Sequence, residues 1–148
     1  MKTYVSKEMN RCNYLLGEID AVYHELSKKL GLSDSAMRIL YTICDIGDCC
    51  LLQEICRRGG LSKQTVNSAI RRLEADGILF LKPAGAKNKK VCLTGHGKTL
   101  ISQTVIRIIQ AENEIFAAWP AEDVSKYLEL TERYLTDLQE KSRVFQAE

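Results

Sequence analysis

The chain has 148 residues, 45% apolar and 27% charged, which is a globular balance, and it is long enough to bury a core without staples. No apolar run approaches the ~18 residues of a membrane helix, and the opening MKTYVSKEMNRC lacks the apolar stretch of a secretory signal, so the protein is expected to be soluble and cytoplasmic, with no membrane partner. The net charge of +2 hides an asymmetry: Arg57 to Lys90 holds nine Lys/Arg against two acids, +7, and the rest holds twelve bases against seventeen acids, −5. Such a block is a candidate footprint for a polyanion, although a solvated charged surface accounts equally well for charge alone.

In chain order, Val5, Met9, Cys12, Leu16, Ile19, Tyr23, Leu26 and Leu30 alternate in steps of four and three, one helical stripe some 25 residues long. A helix of that length exceeds what a small domain buries alone and is expected to meet another helix, such as one from a second subunit. Gly31 ends it, and Ser33 caps a second helix with Ala36, Ile39, Leu40 and Ile43 inward. Gly47-Asp48 reads as a turn, with Cys49-Cys50 in it. A short helix follows, with Leu52, Ile55 and Cys56 inward, and it stops at Gly59-Gly60.

Ser62 to Gly77 predicts a helix with a good cap and a good terminator. Val66, Ala69, Ile70 and Leu73 form its buried stripe, and Gln64, Thr65, Asn67, Ser68 and Arg71 face elsewhere. Residues 78–81 and 91–93 read as two strands joined by the basic loop AGAKNKK. Thr94 caps a long helix that runs to Trp119-Pro120. A last helix follows, with Glu122 and Asp123 at its positive end and Tyr127, Leu128, Leu130, Tyr134, Leu135 and Leu138 along it.

Helix, turn, helix and basic two-stranded loop make a helix-turn-helix with a wing. The second helix would be held by its apolar face. Ser62, Lys63, Gln64, Thr65, Asn67, Ser68 and Arg71 would form its working side, short hydrogen-bonding groups for base edges in a major groove and cations for phosphates. In the wing, Lys87, Asn88, Lys89 and Lys90 would lie against the backbone or enter the minor groove. The fold class is therefore mainly α with a small β-hairpin wing, a winged helix-turn-helix flanked by long N- and C-terminal dimerisation helices. A two-fold dimer sets two reading helices ~34 Å apart and favours a pseudo-palindromic operator in double-stranded DNA.

Leu73-Glu74-Ala75-Asp76-Gly77-Ile78-Leu79 and Val91-Cys92-Leu93-Thr94-Gly95-His96-Gly97 resemble the patterns "LExxGLV" and "VxLTxxG" of the MarR family of bacterial transcription regulators. The resemblance extends over nearly the whole chain. It implies one MarR-like domain over 1–148, with a DNA-binding lobe at 33–94 and a dimerisation region at 1–32 and 95–148. It also implies a homodimeric repressor or activator whose DNA affinity a small molecule or an oxidant controls. The chain departs from the family at the wing. Where many members carry Asp-x-Arg, this sequence has Gly85 and Lys87, so a point charge replaces the planar fork and no carboxylate orients it. Ser68 stands where Arg is frequent.

Six cysteines and no export signal point to reduced thiols that act as small apolar groups. Cys12, Cys49 and Cys50 are the candidate redox positions, a vicinal Cys49–Cys50 disulfide being strained and labile. No Cys/His set has zinc spacing, and His24 and His96 fall on different elements, so neither a metal nor a cofactor is expected. G-x-S-x-G, P-loop and H-E-x-x-H motifs are absent, and no enzyme is expected. The reading is a sequence-specific DNA-binding regulator acting as a homodimer, a repressor modulated by a small apolar or aromatic effector. The alternatives are a thiol-based redox-responsive regulator of the same fold and a winged-helix module that docks an acidic protein or RNA.

Overall fold

The computed structural model of the chain describes residues 3–145. They divide into two compact units, one up to residue 108 and one from residue 109 onward. In the first unit, α1 (Lys7–Lys29) starts at Ser6, whose Oγ accepts the Met9 N–H at 3.0 Å. Its last turn passes into Gly31, at φ 75°, a left-handed conformation that favours glycine. Helix α2 (Asp34–Ile46) starts the same way, with Ser33 Oγ accepting the Ala36 N–H at 3.1 Å. Ile39, Leu40 and Ile43 are fully buried on one face of α2. They make it the centre of the core, as the spacing predicts.

Strand β1 (Cys49–Leu51) runs straight into α3 (Leu52–Gly59), and α4 (Lys63–Ala75) follows after the turn at Gly60. Then come β2 (Leu79–Pro83) and β3 (Lys89–Leu93), in a three-stranded antiparallel sheet of order β1-β3-β2. The expected hairpin wing is present as β2–β3, β1 joins it as a third strand, and Cys49-Cys50 lies in that strand rather than in a turn. Three residues are too few to show strand periodicity in the sequence.

The helix expected from Thr94 to Trp119 is two helices, α5 (Gly95–Gln103) and α6 (Val105–Ala118), broken at Thr104 with φ −126° and ψ −87°. The buried Thr104 hydroxyl donates back to the Leu100 carbonyl at 2.8 Å. In the second unit, α7 (Ala121–Ser142) starts behind Pro120, with Glu122 and Asp123 in its first turn. Phe116, Trp119 and Tyr127 form an aromatic cluster there, with ring centroids 5.3–6.0 Å apart. None of the residues of α7 is buried. Among the described residues, no helix is long and apolar enough to cross a membrane.

Candidate nucleic-acid interface

Helix α4 is fixed from behind. Val66 is fully buried, and Ile70 and Leu73 are 4% exposed. They pack in the same core as Ile55 of α3, itself fully buried. The turn between the two helices depends on Gly60, which takes the left-handed conformation at φ 63° at no side-chain cost. Arg58 of α3 is ion-paired to Asp45 of α2, and Arg38 Nη1 donates to the Gly59 carbonyl at 3.2 Å. The outer helix is thus held to the body at several points before any partner arrives.

The other side of α4 is open. Lys63, Gln64, Thr65, Ser68 and Arg71 are exposed and Asn67 is half-buried. Ser62 differs from its neighbours. Its Oγ accepts the Thr65 N–H at 3.1 Å and donates to Thr65 Oγ1 at 2.8 Å, so its hydroxyl is committed to capping the helix. Thr65 keeps its own hydroxyl proton for an outside acceptor.

Wing residues Lys87, Asn88, Lys89 and Lys90 are exposed. In the sheet register Lys82 stands directly opposite Lys90, and Leu51 opposes Lys90 from the other side. Like charges directly opposite one another are destabilising in a free sheet, and an anion between them removes the penalty. Among the described residues, Lys63, Arg71, Lys82, Lys87, Lys89 and Lys90 have no ion pair inside the molecule. Arg57 and Arg58, the first two cations of the basic block, are paired with Glu54 and Asp45 and belong less to the footprint than their sequence position suggests. Between α3, α4 and the wing lies a groove of about 570 Å³. Its floor is Leu51, Leu52, Cys56, Ile70 and Leu81, and its rim carries Lys63, Asn67, Arg71, Lys87 and Lys89.

The junction from wing to α5 explains the Thr94-to-Gly97 spacing. Thr94 Oγ1 accepts the Gly97 N–H at 2.9 Å and donates to the carbonyls of Gly77 and Ile78. A side chain at Gly97 would put a Cβ 2.1 Å from the Ile78 carbonyl oxygen, so only glycine allows this approach. Lys98 Nζ adds an ion pair to Asp48, just before β1, at 3.1 Å.

The cysteines depart from expectation. Cys49 and Cys92 are joined by a disulfide, with Cα atoms 4.1 Å apart. They stand opposite one another in the β1–β3 register. Cys49 thus bonds Cys92 and not its neighbour Cys50, because successive strand residues face opposite sides of the sheet. Nor are all six thiols reduced. Cys92 was missed as a redox position because its partner depends on a strand too short to read. Cys12, Cys44, Cys50 and Cys56 are free thiols. Cys12 is half-buried on α1. Burial, with Glu54 adding and Arg58 opposing, pushes the Cys50 thiol up to about 11, and burial followed by Asp48 raises that of Cys44. Both stay protonated near neutrality, and neither has the low value of an activated thiolate. His24 Nδ1 sits 2.8 Å from Asp34 across the α1–α2 turn, and His96 is exposed in the first turn of α5. Among the described residues, no three His, Cys, Asp or Glu side chains are grouped to hold a metal ion.

Residues 30–87 match the model of the MarR family. Among the curated proteins none matches the sequence. Solved structures share the fold at low identity. A MarR family regulator from Neisseria meningitidis superposes with a TM-score of 0.77 at 18% identity, over 93% of this chain and 96% of that one. A MarR family transcriptional regulator from Streptomyces coelicolor, solved in complex with DNA, gives 0.70 at 14% identity, over 94% and 92%. The Bordetella bronchiseptica regulator BpsR, whose DNA binding is regulated by 6-hydroxynicotinic acid, gives 0.63 at 19% identity, over 84% and 98%.

Proposed function

We propose, from the match of residues 30–87 to the MarR family model, that the protein is a sequence-specific double-stranded DNA-binding transcriptional regulator, a homodimeric repressor acting in the cytoplasm. The observation that carries the reading is the two-sided character of α4. Val66, Ile70 and Leu73 lock one side into the core, Gln64, Thr65 and Ser68 are exposed away from it, and Asn67 lines a groove rimmed by cations. A rigid helix with a short polar front suits the major groove, where Asn and Gln pair with adenine edges. Lys63, Arg71 and the wing lysines suit phosphates. Ser62 acts through the helix cap rather than by touching bases.

The dimer is supported by apolar surface that the monomer leaves open. Tyr14, Leu15, Leu16, Ile19 and Val22 of α1 are exposed, as are Leu128, Leu130, Tyr134, Leu135 and Leu138 of α7. In this reading the lobe is 33–94, and 1–32 with 95–148 is the dimerisation region. The effector is a small apolar or aromatic molecule. A depression of about 870 Å³ in the first unit, walled by Leu32, Ala36, Leu73, Ile78 and Leu100 and also by Gln64, Thr65 and Ser68 of α4, offers it space beside the reading helix itself.

Selecting binding sites from random duplex DNA tests the reading. The expected product is a pseudo-palindrome with half-sites about one helical turn apart. Asn67→Ala then relaxes preference at one base position per half-site, by ~1–3 kcal/mol of discrimination. Enrichment of no duplex sequence, or enrichment of RNA instead, overturns it.

A further inference from the structure

Cys49 and Cys92 face one another at a particular kind of position in the sheet. The neighbouring pair, Asp48 and Leu93, is hydrogen-bonded, with the Leu93 N–H donating to the Asp48 carbonyl at 2.9 Å. Antiparallel pairs alternate, so Cys49 and Cys92 form a non-hydrogen-bonded pair, where opposed side chains come closest. Phe80 of β2 lies in the same row on the far side of Cys92, and the period of two puts all three on the face opposite Cys50, Val91 and Leu81. The two sulfurs are not equally accessible. Cys92 is fully buried, and Cys49 is partly open to solvent.

The bond joins residues 43 positions apart. The loop it closes holds α3, the turn, α4, β2 and the wing tip, which is the whole candidate interface. Only three residues pair β1 with β3, and β1 leads directly into α3. Without the cross-link, that short pairing, the Leu93–Asp48 hydrogen bond and the exposed Lys98–Asp48 ion pair hold the entry of the helix-turn-helix to the wing.

We propose that Cys49–Cys92 is a thiol–disulfide modification site that sets how firmly the reading helix and the wing are held together. Its consequence for DNA rests on the function proposed above. In the reduced form, a hydroperoxide closes the bond. The Cys49 thiolate attacks one peroxide oxygen, the O–O bond breaks, and the departing oxygen leaves as water or alcohol after taking up a proton. Cys92 sulfur then attacks the resulting sulfenic sulfur of Cys49, the S–S bond forms, the S–O bond breaks, and the hydroxyl leaves as water with the Cys92 proton. Two thiols are oxidised and one peroxide is reduced. Opening runs by exchange. A small thiolate attacks the accessible Cys49 sulfur and Cys92 leaves as a thiol. A second small thiol then releases Cys49, and a small-molecule disulfide departs. The closed form restricts the unfolded chain and keeps β1 against β3. It therefore meets DNA already ordered, and the open form must order at the moment of binding.

The test compares full-length protein treated with hydrogen peroxide with the same protein after dithiothreitol. Its readouts are non-reducing peptide mapping, melting temperature and affinity for a duplex recovered by site selection, with an unselected duplex alongside. The peroxide-treated protein is expected to show Cys49 joined to Cys92. Reduction is expected to lower the melting temperature by about 10 °C and to weaken duplex binding about fivefold, with peroxide restoring both. Cys49→Ser reproduces the reduced protein and no longer responds to peroxide. Wild-type reduction needs no mutation, so it decides the matter even where a variant folds poorly. If the bond closes and the melting temperature moves but neither form binds any duplex, the DNA reading fails and the modification site stands. If Cys49 stays free or joins another thiol, or if both forms bind the duplex equally well, the proposal is overturned.

Discussion

Helix α2 and helix α7 each carry an apolar stripe and end in opposite conditions. Ile39, Leu40 and Ile43 of α2 are fully buried, whereas Leu128, Leu130, Leu135 and Leu138 of α7 are all about half-exposed. The sequence pattern is helical and amphipathic in both. The difference is that α2 has α3, α4 and the sheet around it within its own unit, and α7 has no such surround. An apolar stripe therefore says that a helix needs a partner, and it does not say whether the partner is in the same chain.

Three experiments sharpen that contrast. The largest effect is expected at Gly97→Ala, where the new Cβ meets the Ile78 carbonyl oxygen at 2.1 Å. That contact is backbone and cannot swing away, so a loss of about 3 kcal/mol is expected in urea unfolding. Wild-type stability in that variant would mean that the lobe is far looser than α2 implies.

The next effect comes from Cys50, buried in the lobe with a thiol raised from 9.0 to about 11. Below about pH 9 the folded and unfolded chains both hold its proton, and the contribution is complete. Between about pH 9 and 11 the unfolded chain gives the proton up first, so stability falls with rising pH. Unfolding curves of the wild type and Cys50→Ala should diverge in slope across that window only. Parallel profiles would show that the thiol is not shielded.

The smallest effect on folding is expected at Leu135→Ala with Leu138→Ala. On dilute, dissociated protein the cost should stay below about 0.5 kcal/mol, because both side chains are already half in water. At higher concentration the same pair should weaken the proposed dimer in sedimentation equilibrium. A mass independent of concentration in both proteins, at the monomer value, would break the contrast by leaving α7 without a partner.

Much of α4 is legible in the residues themselves. Ser62 as cap, Gly77 as terminator and the Val66–Ile70–Leu73 stripe all follow from local chemistry, and the helix spans Lys63–Ala75. What is not legible is whatever depends on a partner distant in sequence. β1 exists because β3 offers it an edge, and Cys92 finds Cys49 only through that pairing. Arg57 and Arg58 count as positive charge in the sequence, but Glu54 and Asp45 stand beside them in space. The break at Thr104, with φ −126° and ψ −87°, falls inside an apolar pattern that continues across it, so helical periodicity does not record it.

The facing lysines of the wing, Lys82 and Lys90, give ionic strength two opposed effects. Added salt quiets their mutual repulsion and firms the empty hairpin. The same salt weakens the hairpin's pull on any polyanion. The conditions under which the free protein rests most comfortably are therefore those under which it grips least.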